Sequence, residues 1–152
     1  MFFSGGTGRA IGTETVSSKI QHVSQAMKED MDTGTIELVS TTPDNLPFIN
    51  NMFDVVLTVN DFFIWEDIPK ALREVYRVLR PSCLFLSCIQ PQGTVSTSRM
   101  RVQQLGEKHV DLTLPMYMQL LCENGFIKVR VEEHRNATLG YKYHLIQAYT
   151  NK

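Results

Sequence analysis

Phe53-Asp54-Val55-Val56-Leu57-Thr58-Val59, then Ile68-Pro69-Lys70-Ala71-Leu72-Arg73-Glu74-Val75-Tyr76-Arg77-Val78-Leu79, then Leu84-Phe85-Leu86-Ser87-Cys88-Ile89 are the stretches that decide the fold. The first is rich in β-branched residues and has too few polar positions for a half-exposed strand, which is the composition of a strand covered on both faces. In the second, Ile68, Leu72, Val75 and Leu79 recur at steps of four, three and four. They therefore share one helical stripe, which Pro81 ends. The third stretch is another buried strand. Strand, helix and strand in this order predict a crossover unit in a parallel sheet.

The same alternation continues outward in both directions. Arg9 to Glu14 reads as a short strand ending in a polar residue. Ser17 or Ser18 can cap a helix carrying Ile20, Val23 and Met27 on one face, closed by Thr33-Gly34. Thr35 to Ser40 alternates like a strand, and Thr41 to Asn51 is turn-rich. Beyond Ile89, residues 90–98 are polar and contain glycine, and residues 99–108 are expected to form a short helix. Thr113, with Pro115 in the first turn, starts a helix that ends at Asn124-Gly125. Phe126 to Glu133 and Tyr141 to Thr150 are two alternating strands around a turn at Asn136 to Gly140. The expected order is β-α-β-β-α-β-α-β-β: an α/β, Rossmann-like, mostly parallel sheet flanked by helices and closed by an antiparallel hairpin. Ligands of such sheets sit at the carboxyl ends of the strands.

Composition limits the rest. The chain has 152 residues, 15 basic and 16 acidic side chains, and a net charge of -1. That length gives one domain, residues 1–152, and the charge lacks the basic excess of a nucleic-acid or membrane-surface binder. No apolar run approaches the roughly 20 residues of a membrane helix. Met1-Phe2-Phe3-Ser4-Gly5 has neither a basic nor an apolar leader pattern, and the three cysteines, Cys83, Cys88 and Cys122, are odd in number with no C-x-x-C spacing. A reducing, cytoplasmic setting without a zinc site is the expectation.

Asn45-Leu46-Pro47-Phe48, Phe53-Asp54-Val55-Val56-Leu57 and Ala71-Leu72-Arg73-Glu74-Val75-Tyr76-Arg77-Val78-Leu79-Arg80-Pro81 resemble, in sequence and spacing, the central block of class I S-adenosylmethionine-dependent methyltransferases of the small-molecule type. From Gly12 to the final hairpin the resemblance is weaker, but it covers nearly the whole chain. Within the block, the residues themselves read as fold-holding: Phe48 as a core ring, and Arg73, Glu74 and Arg77 as pairs across helix turns.

The resemblance implies a bound S-adenosylmethionine and a set of contacts. Glu14, ending its strand, matches the acidic residue that accepts hydrogen bonds from the ribose hydroxyls; a solvated loop glutamate is the alternative. Thr41 and Thr42 follow the next strand. There the family often has an aspartate on the adenine amino group, so with Thr42 in its place that contact is weakened or moved. Val59, Asn60 and Asp61 match the lining of the methionine part, with Phe62 as apolar wall and Trp65 as a shield or as core. Gly6, Gly8 and Gly12 are the glycines nearest the family's acidic-x-G-x-G-x-G loop.

Two departures stand out. Where the family has a Pro-Gly-Gly turn, this chain has Pro81-Ser82-Cys83. A positive φ there would strain a non-glycine residue by about 1–2 kcal/mol. The family's first strand, glycine loop and first helix normally precede the strand ending at Glu14, and only eight residues precede Arg9. Ser4-Gly5-Gly6-Thr7-Gly8 is either the end of such a loop or a flexible entry, and Met1-Phe2-Phe3 a remnant of the strand. The expectation is an N-terminally truncated domain with a gap in mid-sheet, or neighbours pairing directly across it.

The function expected is methyl transfer from S-adenosylmethionine to an acceptor the sequence does not identify, a small molecule being favoured, with truncation impairing it. The alternative is a catalytically inactive binding or scaffold module. No general base stands out: His109 and His134 are candidates without a visible partner. Ser96, Thr97, Arg99 and Arg101 are candidates for an anionic acceptor, or a solvated linker.

Overall fold

The computed structural model describes residues 2–4, 8–62, 65–90, 99–103, 109–138 and 140–152. Its elements are β1 (Phe2–Ser4), β2 (Ala10–Glu14), α1 (Ser17–Ala26), α2 (Lys28–Asp32), β3 (Ile36–Ser40), β4 (Phe53–Val59), α3 (Ile68–Val78), β5 (Leu79–Ile89), β6 (Arg99–Gln103), β7 (His109–Thr113), α4 (Leu114–Glu123), β8 (Phe126–Arg135) and β9 (Lys142–Thr150). The main sheet has seven strands in the order β3-β2-β1-β4-β5-β9-β8, and β6 pairs with β7 separately. Strands β2 to β5 and β8 run one way, while β1 and β9 oppose them. This is the Rossmann-like α/β sheet that the sequence predicts. The step from β2 to β3 goes one way along the sheet and that from β4 to β5 the other. Right-handed crossovers then place α1 and α3 on opposite faces and make the middle of the sheet the topological switch point.

The core gathers around the deciding stretches. Helix α3 has Asp67 as N-cap, accepting from the Lys70 amide at 2.8 Å, and Pro69 in its first turn. It buries Ile68, Ala71, Leu72, Val75 and Val78, with Leu79 buried next to them. Arg77 ties this helix to the loop before β4: its guanidinium donates to the carbonyls of Leu46 (3.0 Å) and Phe48 (2.6 Å) and to both carboxylate oxygens of Glu74 (2.7 and 2.8 Å). The Leu46 amide also donates to Glu74 at 2.9 Å, so Glu74 and Arg77 form a loop clamp more than a surface pair. Helix α4 begins as expected, with Thr113 Oγ1 accepting from the Met116 amide, and ends at Gly125 with φ of 92°.

Several expectations change. The gap in mid-sheet is filled. Strand β1 lies between β2 and β4, antiparallel to both, pairing Phe2 with Gly12 and Leu57 and Ser4 with Ala10 and Val55. Only residues 5–9 separate β1 from β2, far short of the dozen or so that a parallel crossover needs, so a hairpin is the sole connection available. The single helix expected up to Thr33 is broken at Met27, whose φ of -113° and ψ of 26° are not helical, and its N-cap is Val16 with no side-chain cap. Residues 99–103 form strand β6, not a helix, because they find an antiparallel partner in β7. Pro81 lies within β5, where Ser82 takes φ of 58°: the position where the family has glycine does need a left-handed residue, and serine bears that strain here.

Candidate functional site

At the carboxyl ends of β2, β3 and β4, on either side of the switch point, two adjoining cavities open. The larger, about 230 Å3, is lined by Thr13, Glu14, Thr15, Thr41, Thr42, Pro43, Asp44, Asp61, Trp65 and Glu66. The smaller, about 170 Å3, is lined by Gly12, Thr13, Glu14, Ile20, Val23, Leu38, Val59 and Asp61. It lies where β1 stops. There Phe2, at one end of β1, pairs with Gly12 and Leu57.

Glu14 stands between the two cavities. Its Oε1 accepts from the amides of Thr15 (2.9 Å) and Val16 (3.0 Å), which lead into helix α1, and its Oε2 lies 3.8 Å from Lys19 Nζ. Partial burial by itself raises the carboxyl's pKa, but the two amides, the Thr15 hydroxyl and Lys19 outweigh it and hold the group below the usual range. A carboxylate held in this way on the lining of both cavities can accept from hydroxyl donors.

Thr41 and Thr42 line the larger cavity with Asp44. The Thr41 hydroxyl donates to the Asn45 carbonyl at 2.8 Å and so shapes the loop. The Thr42 hydroxyl bonds the Asp44 carboxylate, which also pairs with Lys70 at 3.2 Å; the first contact and then the second lower the Asp44 pKa against the effect of burial. With its proton engaged by Asp44, the Thr42 oxygen presents lone pairs rather than a donor. Trp65 is both core and cavity wall, at 4% exposure.

The structure brings together Gly12, Glu14, Thr41, Thr42, Val59 and Asp61 of the sequence-predicted set. Asn60 sits apart from both linings. It adopts φ of 51°, its amide donates to the Cys88 carbonyl and its Oδ1 accepts from the Gln90 amide at 2.7 Å, so its side chain joins the ends of β4 and β5. Gly8 lies at the opposite end of the strands, just ahead of the start of β2 at Ala10. Gly6 lies outside the described residues, as do Ser96 and Thr97. Phe62 is buried and stacks on Tyr117 with ring centroids 4.4 Å apart, behind the site. His134 is on β8, 3.1 Å from Glu132 and stacked on Tyr143, far along the sheet order from the cavities. Sequence reasoning missed Asp44, Glu66 and the α1 residues Ile20 and Val23 as cavity wall. The signal for Asp44 was its place two residues after Thr42 in the same strand-end loop.

Comparison with known proteins agrees with the fold. A family model described as "Methyltransferase domain" matches residues 3–87. The phthiotriol/phenolphthiotriol dimycocerosates methyltransferase of Mycobacterium leprae is 33% identical over 82 residues, 50% of this chain and 30% of that protein. The putative methyltransferase YrhH of Bacillus subtilis is 30% identical over 105 residues, 68% of this chain and 57% of that protein. The chain therefore spans between about a third and somewhat over half of these curated relatives. Among solved structures, a SAM-dependent methyltransferase of Methanosarcina mazei superposes with a TM-score of 0.66 at 17% identity, covering 93% of this chain and 81% of that one. No helix among the described residues is long and apolar enough to cross a membrane.

Proposed function

This chain belongs to the methyltransferase-domain family, and from that premise we propose that its strand-end site binds S-adenosylmethionine and serves methyl transfer to a small-molecule acceptor. The observation that carries the reading is Glu14, a carboxylate fixed at the end of β2 between two cavities, with Thr42 and Asp44 facing it from the end of β3. These residues fit the nucleoside half of the cofactor: Glu14 offers oxygens to the ribose hydroxyls, and the Thr42 oxygen, its proton engaged by Asp44, accepts from the adenine amino group. Ile20, Val23, Leu38 and Val59 give the smaller cavity an apolar wall. When bound, S-adenosylmethionine supplies a methyl group on a sulfonium sulfur. The chain's own part is to hold and orient the two reactants and exclude water, since the cavities hold no histidine among their described lining residues to act as base.

Binding without transfer is the second reading. It draws support from β1, which runs opposite to its neighbours, and from Asn60, whose side chain is engaged with Gln90. Calorimetric titration with S-adenosylmethionine and S-adenosylhomocysteine tests the cofactor site common to both. Saturable binding that Glu14→Ala abolishes, with the variant still folded by circular dichroism, supports it. Absence of binding at millimolar ligand overturns it. Transfer of a labelled methyl group to any small-molecule fraction separates the first reading from the second.

A further inference from the structure

The two faces of the main sheet are covered very unequally. Val56 on β4, Phe85, Ser87 and Ile89 on β5, and Ile146 and Ala148 on β9 are at 0% exposure. Helices α3 and α4 lie on that face: Tyr76 packs on Phe126, Phe126 on Phe85, and the Tyr117 hydroxyl bonds Ser87. The residues alternating with these point the other way. Val55 and Leu57 of β4, Leu84 and Leu86 of β5, and Leu145 and Tyr149 of β9 are only partly buried, and none packs against the core cluster. On their face α1 packs against β2 and β3, and the described helices reach no further than Val59, across the smaller cavity. Strand β4 has the composition of a strand covered twice, and the described helices cover it once.

The ladder registers set these residues in rows. Val55, Leu84 and Tyr149 are level, as are Leu57, Leu86 and Gln147, and then Val59, Cys88 and Leu145. Three strands by five residues is about 14 Å by 17 Å of sheet, and exposed apolar patches of a few hundred Å2 mark interaction sites. None of these side chains is charged. Beside them on β8, Arg130 is level with Gln147 and Glu132 with Leu145, so the bordering strand is not the basic rim that an anionic lipid surface asks for. A neutral, flat patch suits a copy of itself.

We propose that two copies of this chain associate through this face, sheet on sheet, about a two-fold axis lying along β5. The position of α1 selects the axis. Packed sheets lie about 10 Å apart and a helix is itself about 10 Å across, so α1 fits beside a second sheet but not between the two. An axis running across the strands would set α1 against its own copy between the sheets. An axis along β5 instead lays β4 over the second copy's β9 and β1 over its β8, with α1 just outside. The footprint is then five strands, about 400 Å2 of flat sheet per copy, which is the scale of small, reversible interfaces. The contact is isologous. Leu84, Leu86 and Cys88 meet their own copies on the axis, and Leu57 meets Gln147.

Sedimentation equilibrium on the full chain is expected to show a reversible monomer–dimer equilibrium, with a dissociation constant on the order of 10 μM. Leu86→Glu sets two like charges face to face on the axis and is expected to weaken the dimer at least tenfold, with the fold intact by circular dichroism. Leu57→Glu and Gln147→Lys, which meet across the interface, are each expected to weaken it and together to restore most of it; this pair also serves if Leu86→Glu does not fold. With Cys83 and Cys122 replaced by serine, a bismaleimide of about 10 Å span is expected to join Cys88 to its own copy. A chain that stays monomeric throughout, a dimer that both sets of charged variants leave intact, or one that Cys88 does not cross-link overturns the proposal. A monomer that binds phosphatidylcholine vesicles through Leu86 assigns the face to lipid and overturns it as well.

Discussion

Helices α1 and α3 are nearly equal in length, and each packs beside a parallel strand pair, yet they hold the molecule to very different degrees. Helix α3 buries five side chains and has an Asp67 cap and the Arg77 clamp. Helix α1 has no side-chain cap and no buried residue; Ile20 and Val23 are only half covered, because they face the smaller cavity rather than a filled core. The buried apolar side chains of the described core all lie at Leu46 or later in the chain. One half of the sheet, β4 onward, is a packed scaffold, and the other, β1 to β3 with α1 and α2, is a thinner wall laid against it. The candidate site draws Glu14, Thr41 and Thr42 from the thin wall and Val59 and Asp61 from the scaffold. Site geometry is therefore set by the less stable half, which is where binding regions tend to lie.

The sharpest break of this contrast comes from cavity mutations. Leu72→Ala is expected to lower stability by about 2–5 kcal/mol in urea denaturation, and Val23→Ala by less than about 1 kcal/mol; similar losses would erase the distinction. Glycines give the second comparison. At Gly125, φ is 92° and an added Cβ would lie 2.9 Å from Tyr76 Cε2, whereas at Gly34, φ is 71° with nothing within 4 Å. Gly125→Ala is expected to cost about 2–3 kcal/mol and Gly34→Ala about 1 kcal/mol, read as the two melting shifts.

The smallest effect is in acid. Arg77 first of all holds the Glu74 carboxyl below its usual range, against the opposing effect of burial. A depressed native pKa means stability that is present above about pH 4.5 and lost as pH falls through the native value. Glu14 has the same sign with a weaker cation, Lys19 at 3.8 Å. Glu74→Gln is therefore expected to flatten the acid limb of the stability curve more than Glu14→Gln does, and the reverse order would break the assignment of the clamp to the scaffold.

Legibility in the sequence follows the same division. The α3 stripe and the β4 and β5 runs were readable because continuous burial leaves periodic, strongly apolar patterns. The α1 face was readable as Ile20, Val23 and Met27, but not the break at Met27, since a half-covered helix tolerates one. Strands β6 and β7 carry no pattern beyond their mutual pairing. The direction of β1 followed from chain length between Ser4 and Ala10, a topological constraint rather than a residue preference. Among candidate site residues, Glu14 and Thr42 were named through the family resemblance at strand ends, whereas the engagement of Asn60 with Gln90 depends on a hydrogen bond that sequence does not encode locally.

The short reversed strand has a mechanical consequence. A load applied across the sheet, from β3 toward β9, passes through every ladder in series, and the β1–β4 ladder carries three residue pairs where β5–β9 carries six. The weakest link in a series yields first, so the fracture line runs beside β1. It leaves Glu14 and Thr42 on one fragment and Val59 and Asp61 on the other. A nucleoside seated between them acts as a rivet across that line, and its grip can be read as the extra force needed to part the two pieces.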